Sequence, residues 1–159
     1  MILKKFDTIG KRFSALVALV GGIIGIIIAI STIIENHMQI DISGEWMFSF
    51  HTIKSTYNDY IDACTDYKMH IIHKDNSISG NGETWRHKGK LLDYKDHCPL
   101  VIQGVSKNDT VICNYILKGK LRETTGSFKA GLSGDTTLNG YFSGTGADVK
   151  GEFKAVKIR

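Results

Sequence analysis

Residues 40–53, with the sequence IDISGEWMFSFHTI, decide the fold class of this chain. Within this stretch the aromatic residues Trp46, Phe48 and Phe50 occupy every second position. Successive side chains of a β-strand point to opposite faces of the sheet, so the alternation predicts a strand with one buried face. We therefore expect Trp46 and Phe48 to belong to a hydrophobic core.

Seven further segments have the composition of strands, and turns rich in Gly, Asn and Asp separate most of them. They are residues 67–74, 78–87, 100–106, 111–117, 121–128, 137–143 and 149–158. Between them, residues 54–65 lose the alternation and are expected to form a loop or a short helix. Residues 88–97 are expected to form a polar loop.

Eight strands joined mainly by short connections are typical of an up-and-down barrel or a sandwich. Closure into a barrel removes the exposed sheet edges that promote aggregation. A barrel of eight strands has room for its own side chains or for one small ligand. We therefore expect residues 40–159 to form a small eight-stranded antiparallel β-barrel, which makes the fold class all-β with an N-terminal transmembrane α-helix in front of it.

That helix is predicted for residues 13–34, FSALVALVGGIIGIIIAISTII, which contain no charged side chain. A helix needs roughly 20 apolar residues to cross the hydrocarbon core of a bilayer. No cleavage site with small residues follows, so the segment is interpreted as an uncleaved, single-pass anchor. Residues 1–12 form a basic N-terminal flank.

Small residues are spaced four apart on one face of the predicted anchor, at Gly21, Gly25 and Ala29. This spacing lets the backbones of two membrane helices approach closely. It predicts a homo-oligomer that associates through the anchor, within the lipid bilayer.

Charge and cysteine content point to different sides of the membrane. Lys4, Lys5, Lys11 and Arg12 precede the anchor, and the positive-inside rule then keeps the N-terminus in the cytoplasm and places the barrel outside. The chain has three cysteines, an odd number that argues against a disulfide framework and favours reduced thiols, with one bridge as the alternative. Reduced thiols indicate a reducing compartment, which would place the barrel in the cytoplasm. The remaining charge is nearly balanced, so we expect no DNA or RNA partner.

Sequence motifs of enzymes and metal sites are missing. The six histidines form no HExxH group, and no GxSxG or GxxxxGK[ST] element is present. We therefore expect no catalytic residue, no metal ligand, no cofactor and no enzymatic activity.

Four residues are candidates for ligand binding: Trp85, Arg86, Arg122 and Tyr141. Aromatic faces stack on bases, and the planar guanidinium of Arg pairs with phosphate through two hydrogen bonds. Taken one at a time, tryptophans that plug the barrel and arginines at its surface are the simpler interpretation. Strand alternation sends Trp85 and Arg86 to opposite faces unless a β-bulge intervenes.

The chain has a predicted membrane segment, then ISGEW at the start of the barrel, and then a closing LNGYFSGTG and VKGEFKAVKI. This layout resembles that of the membrane-anchored β-barrel effectors of bacterial CBASS antiphage defence. The resemblance implies a barrel that binds a cyclic di- or trinucleotide made by a partner nucleotidyltransferase. It also implies oligomerisation, disruption of the bacterial inner membrane, and a barrel in the cytoplasm. The chain departs from the family in one respect, because the family typically has two membrane helices and one is predicted here.

The alternative is a single-pass envelope protein with a lipocalin-like barrel. Such a protein would bind a small apolar ligand or act in superinfection exclusion. This alternative agrees better with the charge asymmetry around the anchor and less well with the unpaired thiols.

Overall fold

The computed structural model describes residues 22–28 and 41–159. The chain divides into two units, Met1–Gln39 and Ile40–Arg159. In the first unit residues 22–28 are helical and exposed, whereas most of the predicted anchor, including Gly21 and Ala29, lies outside the described residues. Among the residues that are described, no helix is long and apolar enough to cross a membrane.

The second unit consists of nine strands. In chain order they are β1 Gly44–Lys54, β2 Cys64–Lys74, β3 Ser77–His87, β4 Lys90–Leu91, β5 Pro99–Lys107, β6 Thr110–Lys118, β7 Glu123–Ser133, β8 Thr137–Gly144 and β9 Val149–Lys157. Three short 3-10 helices lie in the connections, at Asn58–Tyr60, Tyr94–Asp96 and Gly146–Asp148.

All strands except the two-residue β4 form a closed antiparallel barrel. The order is β2-β1-β9-β8-β7-β6-β5-β3, and the pairing of β3 with β2 closes the ring. Each strand of the barrel pairs with the next barrel strand in the chain. The first strand, β1, also pairs with the last, β9. The expected eight-stranded up-and-down barrel is therefore confirmed.

The interior is an aromatic core built from the alternating residues. Trp46 and Phe48 are completely buried, and Phe128 stacks on Phe153 with ring centroids 4.4 Å apart. The indole Nε1 of Trp46 donates a hydrogen bond to the carbonyl of Ile42 over 2.8 Å. Trp46 and Ile42 fill one end of the barrel. The prediction that Trp46 and Phe48 are core residues is confirmed.

Most segment boundaries differ from the predicted ones by one to three residues, as β2 does by beginning at Cys64 rather than at residue 67, and two segments differ more. The strand expected over residues 121–128 begins at Glu123 and continues to Ser133, because residues up to Ser133 pair with β8 as far as Thr137. The polar loop expected over 88–97 contains both β4 and a 3-10 helix, since Lys90 and Leu91 pair with the end of β3.

Candidate functional site

A cavity of about 500 Å³ opens at the end of the barrel that lies away from Trp46. Its lining comes from several strands and from the loops that join them at this end. The lining includes the side chains of Phe50, Thr52, Thr65, Tyr67, Thr84, His87, Asp96, Cys98, Tyr115, Lys120, Arg122 and Phe142. A concave site of this size in the mouth of a barrel is a common location for a small-molecule ligand.

The floor of the cavity is aromatic and consists of Phe50, Tyr67, Tyr115 and Phe142. The ring of Phe50 lies at the centre, with centroids 5.3 Å from Tyr67, 5.7 Å from Tyr115 and 4.8 Å from Phe142. These are edge-on or tilted contacts, which the quadrupoles of aromatic rings favour. The floor therefore presents ring surfaces and two phenolic hydroxyls.

Two glycines make room for the ring of Tyr115. A Cβ atom at Gly126 would lie 2.3 Å from Tyr115 Cζ, and one at Gly144 would lie 2.4 Å from Tyr115 Oη. Gly126 is paired with both Tyr115 and Gly144 in the sheet. The strands β7 and β8 thus hold the phenol against their backbones.

The wall of the cavity above the floor carries polar side chains, of which Thr65, Thr84, His87 and Cys98 are the relevant ones. Thr65 Oγ1 and His87 Nδ1 are 2.9 Å apart, and the Thr84 hydroxyl donates to the carbonyl of Cys98 over 3.1 Å. Burial lowers the pKa of His87. The imidazole is therefore neutral at physiological pH.

The rim of the cavity carries the charges, on Asp96, Lys120 and Arg122. Lys120 Nζ donates a hydrogen bond to Asp96 Oδ1, and this contact is the main reason why the pKa of Asp96 is lowered. Among the residues that the structure describes, Arg122 has no ion-pair partner. Its guanidinium is exposed and is the unpaired cation at the mouth.

Of the four predicted ligand residues, only Arg122 lines this cavity. Trp85 lies on the outer face of β3, where Lys68 Nζ sits 3.1 Å from its ring centroid. Arg86 is also on the outer face, with Nη1 3.6 Å from Asp66 Oδ2. Tyr141 is 72% exposed on β8, across the barrel from β3.

A β-bulge explains why Trp85 and Arg86 share the outer face. Tyr67 pairs with Thr84 and Asp66 pairs with Arg86, so Trp85 has no partner of its own on β2. An extra residue of this kind breaks the strict alternation of side chains. The four candidates consequently do not surround one site, and Arg122 is the member of the set that lies at the cavity.

The sequence reasoning missed Tyr67, Tyr115 and Lys120. A signal for the tyrosines was present, since Tyr67 alternates with Met69 and Ile71 and Tyr115 alternates with Val111 and Cys113 along their strands. All four of these neighbours are core residues. Lys120 lies one position from Leu121 in a loop, where alternation carries no information. Within residues 22–28 and 41–159, no three His, Cys, Asp or Glu side chains are grouped so that they could hold a metal ion.

Comparisons with known proteins identify the fold. No protein family and no curated protein matches the sequence. Among solved structures, the chain is similar to the redesigned β-barrel mFAP1 bound to DFHBI, with a TM-score of 0.55 and 10% identity over 73% of this chain and 94% of that one. It is also similar to the redesigned β-barrel b11L5F_LGL, with a TM-score of 0.55 and 11% identity over 74% of this chain and 91% of that one. At these identities the likeness concerns the barrel fold alone.

Proposed function

We propose that the barrel is the receptor domain of a membrane-anchored antiphage effector and that it binds a cyclic di- or trinucleotide in its open-end cavity. The observation that carries the proposal is the division of the cavity into an aromatic floor and a cationic rim. A cyclic nucleotide has the matching division, because its bases are flat and its phosphates are anionic.

The size of the cavity supports a ligand of this class. Pockets for small molecules typically measure about 300–1,000 Å³, and the volume here is about 500 Å³. Two of the similar designed barrels are bound to DFHBI in their solved structures, which supports the idea that a barrel of this fold can hold a small ligand.

Arg122 is the proposed phosphate partner. It lines the cavity and has no competing carboxylate, whereas Lys120 already interacts with Asp96. The guanidinium of Arg also suits an anionic oxygen pair better than an ammonium does. Trp85, Arg86 and Tyr141 face away from the cavity, so the proposed site does not include them.

The second half of the proposal concerns the membrane segment. Binding would be converted into self-association through the face of Gly21, Gly25 and Ala29, followed by disruption of the bacterial inner membrane. This part rests on the apolar run of residues 13–34 and on the resemblance to CBASS effectors. The nucleotide would come from a partner nucleotidyltransferase, which requires a cytoplasmic barrel.

A second candidate function is an envelope protein whose lipocalin-like barrel binds a small apolar ligand. The observation that favours it is the floor, where Phe50 and Phe142 present apolar surface and no charged side chain of the described chain contributes. Such a ligand would not need Arg122.

The two functions are separated by calorimetric titration of the full-length protein in detergent with a panel of cyclic di- and trinucleotides. We expect Arg122→Ala to lose about 1.5–3 kcal/mol, which is roughly ten- to hundredfold in affinity. Arg86→Ala is the matched control, since it removes the same side chain from the outer face, and it should bind like the wild type. A folded wild-type protein that binds none of the nucleotides, or equal losses in both variants, would contradict the receptor proposal.

A further inference from the structure

Two phenol hydroxyl groups at the floor of the cavity have no hydrogen-bond partner in the described part of the chain, although their side chains are largely buried. They belong to Tyr67 and Tyr115, whose side chains are 7% and 6% exposed. Both residues line the cavity, and they come from different strands, β2 and β6. The barrel therefore presents two converging polar groups inside an otherwise aromatic floor.

Two other buried polar side chains of the barrel have partners within the protein. The indole of Trp46 donates to the Ile42 carbonyl, and the hydroxyl of Thr84 donates to the carbonyl of Cys98. Polar groups in protein interiors are nearly always hydrogen-bonded, to the protein, to water or to a ligand, and these two hydroxyls have only the last two available. A ligand can supply the missing partners, because both hydroxyls adjoin the same empty space.

The hydroxyls are neutral. Burial raises the pKa of Tyr115 to about 12. Burial also raises the pKa of Tyr67, with smaller contributions from Tyr115 and Cys98. Each phenol thus keeps its proton at physiological pH and can both donate and accept a hydrogen bond.

The residues around these hydroxyls determine which kind of ligand group can form hydrogen bonds with them. Phe50 and Phe142 flank them with ring surfaces, which suits a flat group with apolar faces. Lys120 and Arg122 lie at the rim, and His87, a titratable residue of the wall, is kept neutral by burial. An anion at the floor would therefore lack a charged partner, whereas an anion at the rim would have one.

We propose that Tyr67 and Tyr115 read a planar, uncharged, hydrogen-bonding heterocycle at the floor of the cavity. The ligand enters with this heterocycle first and keeps its anionic part at Arg122. Only the placement of the anionic part at Arg122 rests on the proposed function. It makes the two tyrosines determinants of specificity, with nucleobase-like edges as the class of group they recognise.

The first test compares Tyr67→Phe and Tyr115→Phe with the wild type, using cyclic dinucleotides that differ only in their bases. Each substitution removes one hydroxyl and keeps the ring, so the thermal unfolding temperature should stay the same or rise. We expect a three- to tenfold loss of affinity that differs between bases. Arg122→Ala should instead weaken all of them by the same factor, because their phosphates are identical.

The second test measures depth of insertion through Cys98, which lines the cavity beside Tyr67. A small methanethiosulfonate reagent is applied to the full-length protein, and labelling of each cysteine is followed by peptide mass spectrometry. Cys64 is the internal control, because it lies on the outer face next to Asp66. A ligand seated at the floor should slow the labelling of Cys98 at least fivefold and leave that of Cys64 unchanged.

The outcomes separate this inference from the proposed function. If a cyclic dinucleotide binds but both Phe variants retain wild-type affinity, or Cys98 is labelled at the same rate, the inference is wrong and the receptor function stands. If no cyclic nucleotide binds, free nucleobases at millimolar concentration serve as the probe. Protection of Cys98 that is lost in Tyr67→Phe or Tyr115→Phe then supports the inference without the receptor function, and a lack of protection overturns both.

Discussion

Substituting Gly144 by Ala tests the position of the Tyr115 hydroxyl, on which the floor of the cavity depends. A Cβ atom at Gly144 would lie 2.4 Å from Tyr115 Oη, while its next neighbours are Val149 Cγ2 at 3.1 Å and Tyr115 Cζ at 3.5 Å. Non-bonded atoms prefer separations of about 3.5–4.0 Å, so the hydroxyl has to move by about 1 Å. The severe clash thus involves one atom of Tyr115, and Val149 Cγ2 has to give by only a few tenths of an ångström.

The expected cost follows from this geometry. Overpacking of a core costs about 1–3 kcal/mol, and the phenol can tilt into the adjoining cavity, so we expect about 1–2 kcal/mol here. For a domain of this size, that corresponds to a fall of about 3–10 °C in unfolding temperature. In a Tyr115→Phe background the close contact is gone, and the cost of Gly144→Ala should drop below about 0.5 kcal/mol.

The assay is thermal unfolding of the full-length protein, followed by circular dichroism, for the wild type, both single variants and the double variant. The double-mutant cycle should give a coupling free energy of about 1 kcal/mol between the two positions. Gly131→Ala is the control, because the nearest atom to its added Cβ is 4.0 Å away, and it should change stability by less than about 0.5 kcal/mol. Equal costs of Gly144→Ala with and without the hydroxyl would refute the placement of Tyr115.

Three further predictions follow from the core, from the wall and from the N-terminal unit. Trp46→Ala should destabilise the barrel by about 3–5 kcal/mol in urea unfolding, because the side chain is fully buried; Trp46→Phe should cost less. Stability should fall as pH decreases below about 6.5, because His87 then binds a proton in the unfolded chain, while its lowered pKa in the folded barrel disfavours protonation there. In His87→Gln, the free energy of unfolding should depend less on pH between pH 6.5 and 5. Gly25→Leu should reduce crosslinked oligomers in membranes, because it adds bulk to the predicted contact face; it should leave the unfolding temperature of the barrel unchanged, because Gly25 belongs to the other unit of the chain.

The fold could be predicted because hydrophobic alternation is a direct consequence of strand geometry. The stretch around Trp46, Phe48 and Phe50 shows the period of two without interruption, and all three side chains are buried. Strand ends were less predictable, as β7 shows. Arg122 and Leu121 look like strand residues, yet they lie in the turn before Glu123, because pairing with β6 begins only there.

The site was harder to predict because its members come from loops and from irregular pairing. Arg122 was singled out on chemical grounds alone, since arginine is scarce in this domain, and the structure places it in the lining of the cavity. Trp85 and Arg86 were placed by alternation, but the bulge opposite Asp66 and Tyr67 moves them to one outer face. A bulge depends on the pairing partner as well as on the strand that carries it, and a single sequence does not reveal the register of that partner.

The open end of the barrel nevertheless leaves a trace along the inward-facing positions. In β1 these positions run from Trp46 at the closed end to Thr52 at the cavity. The antiparallel strand β2 begins at the cavity with Thr65, and β3 reaches the cavity with Thr84. Large apolar side chains fill one end of the barrel completely, whereas the shorter hydroxyl side chains leave volume at the other end and tolerate contact with polar atoms. The position of the threonines in each inward-facing series therefore indicates which end of this barrel is packed and which end can receive a ligand, and it does so before any pairing register is known.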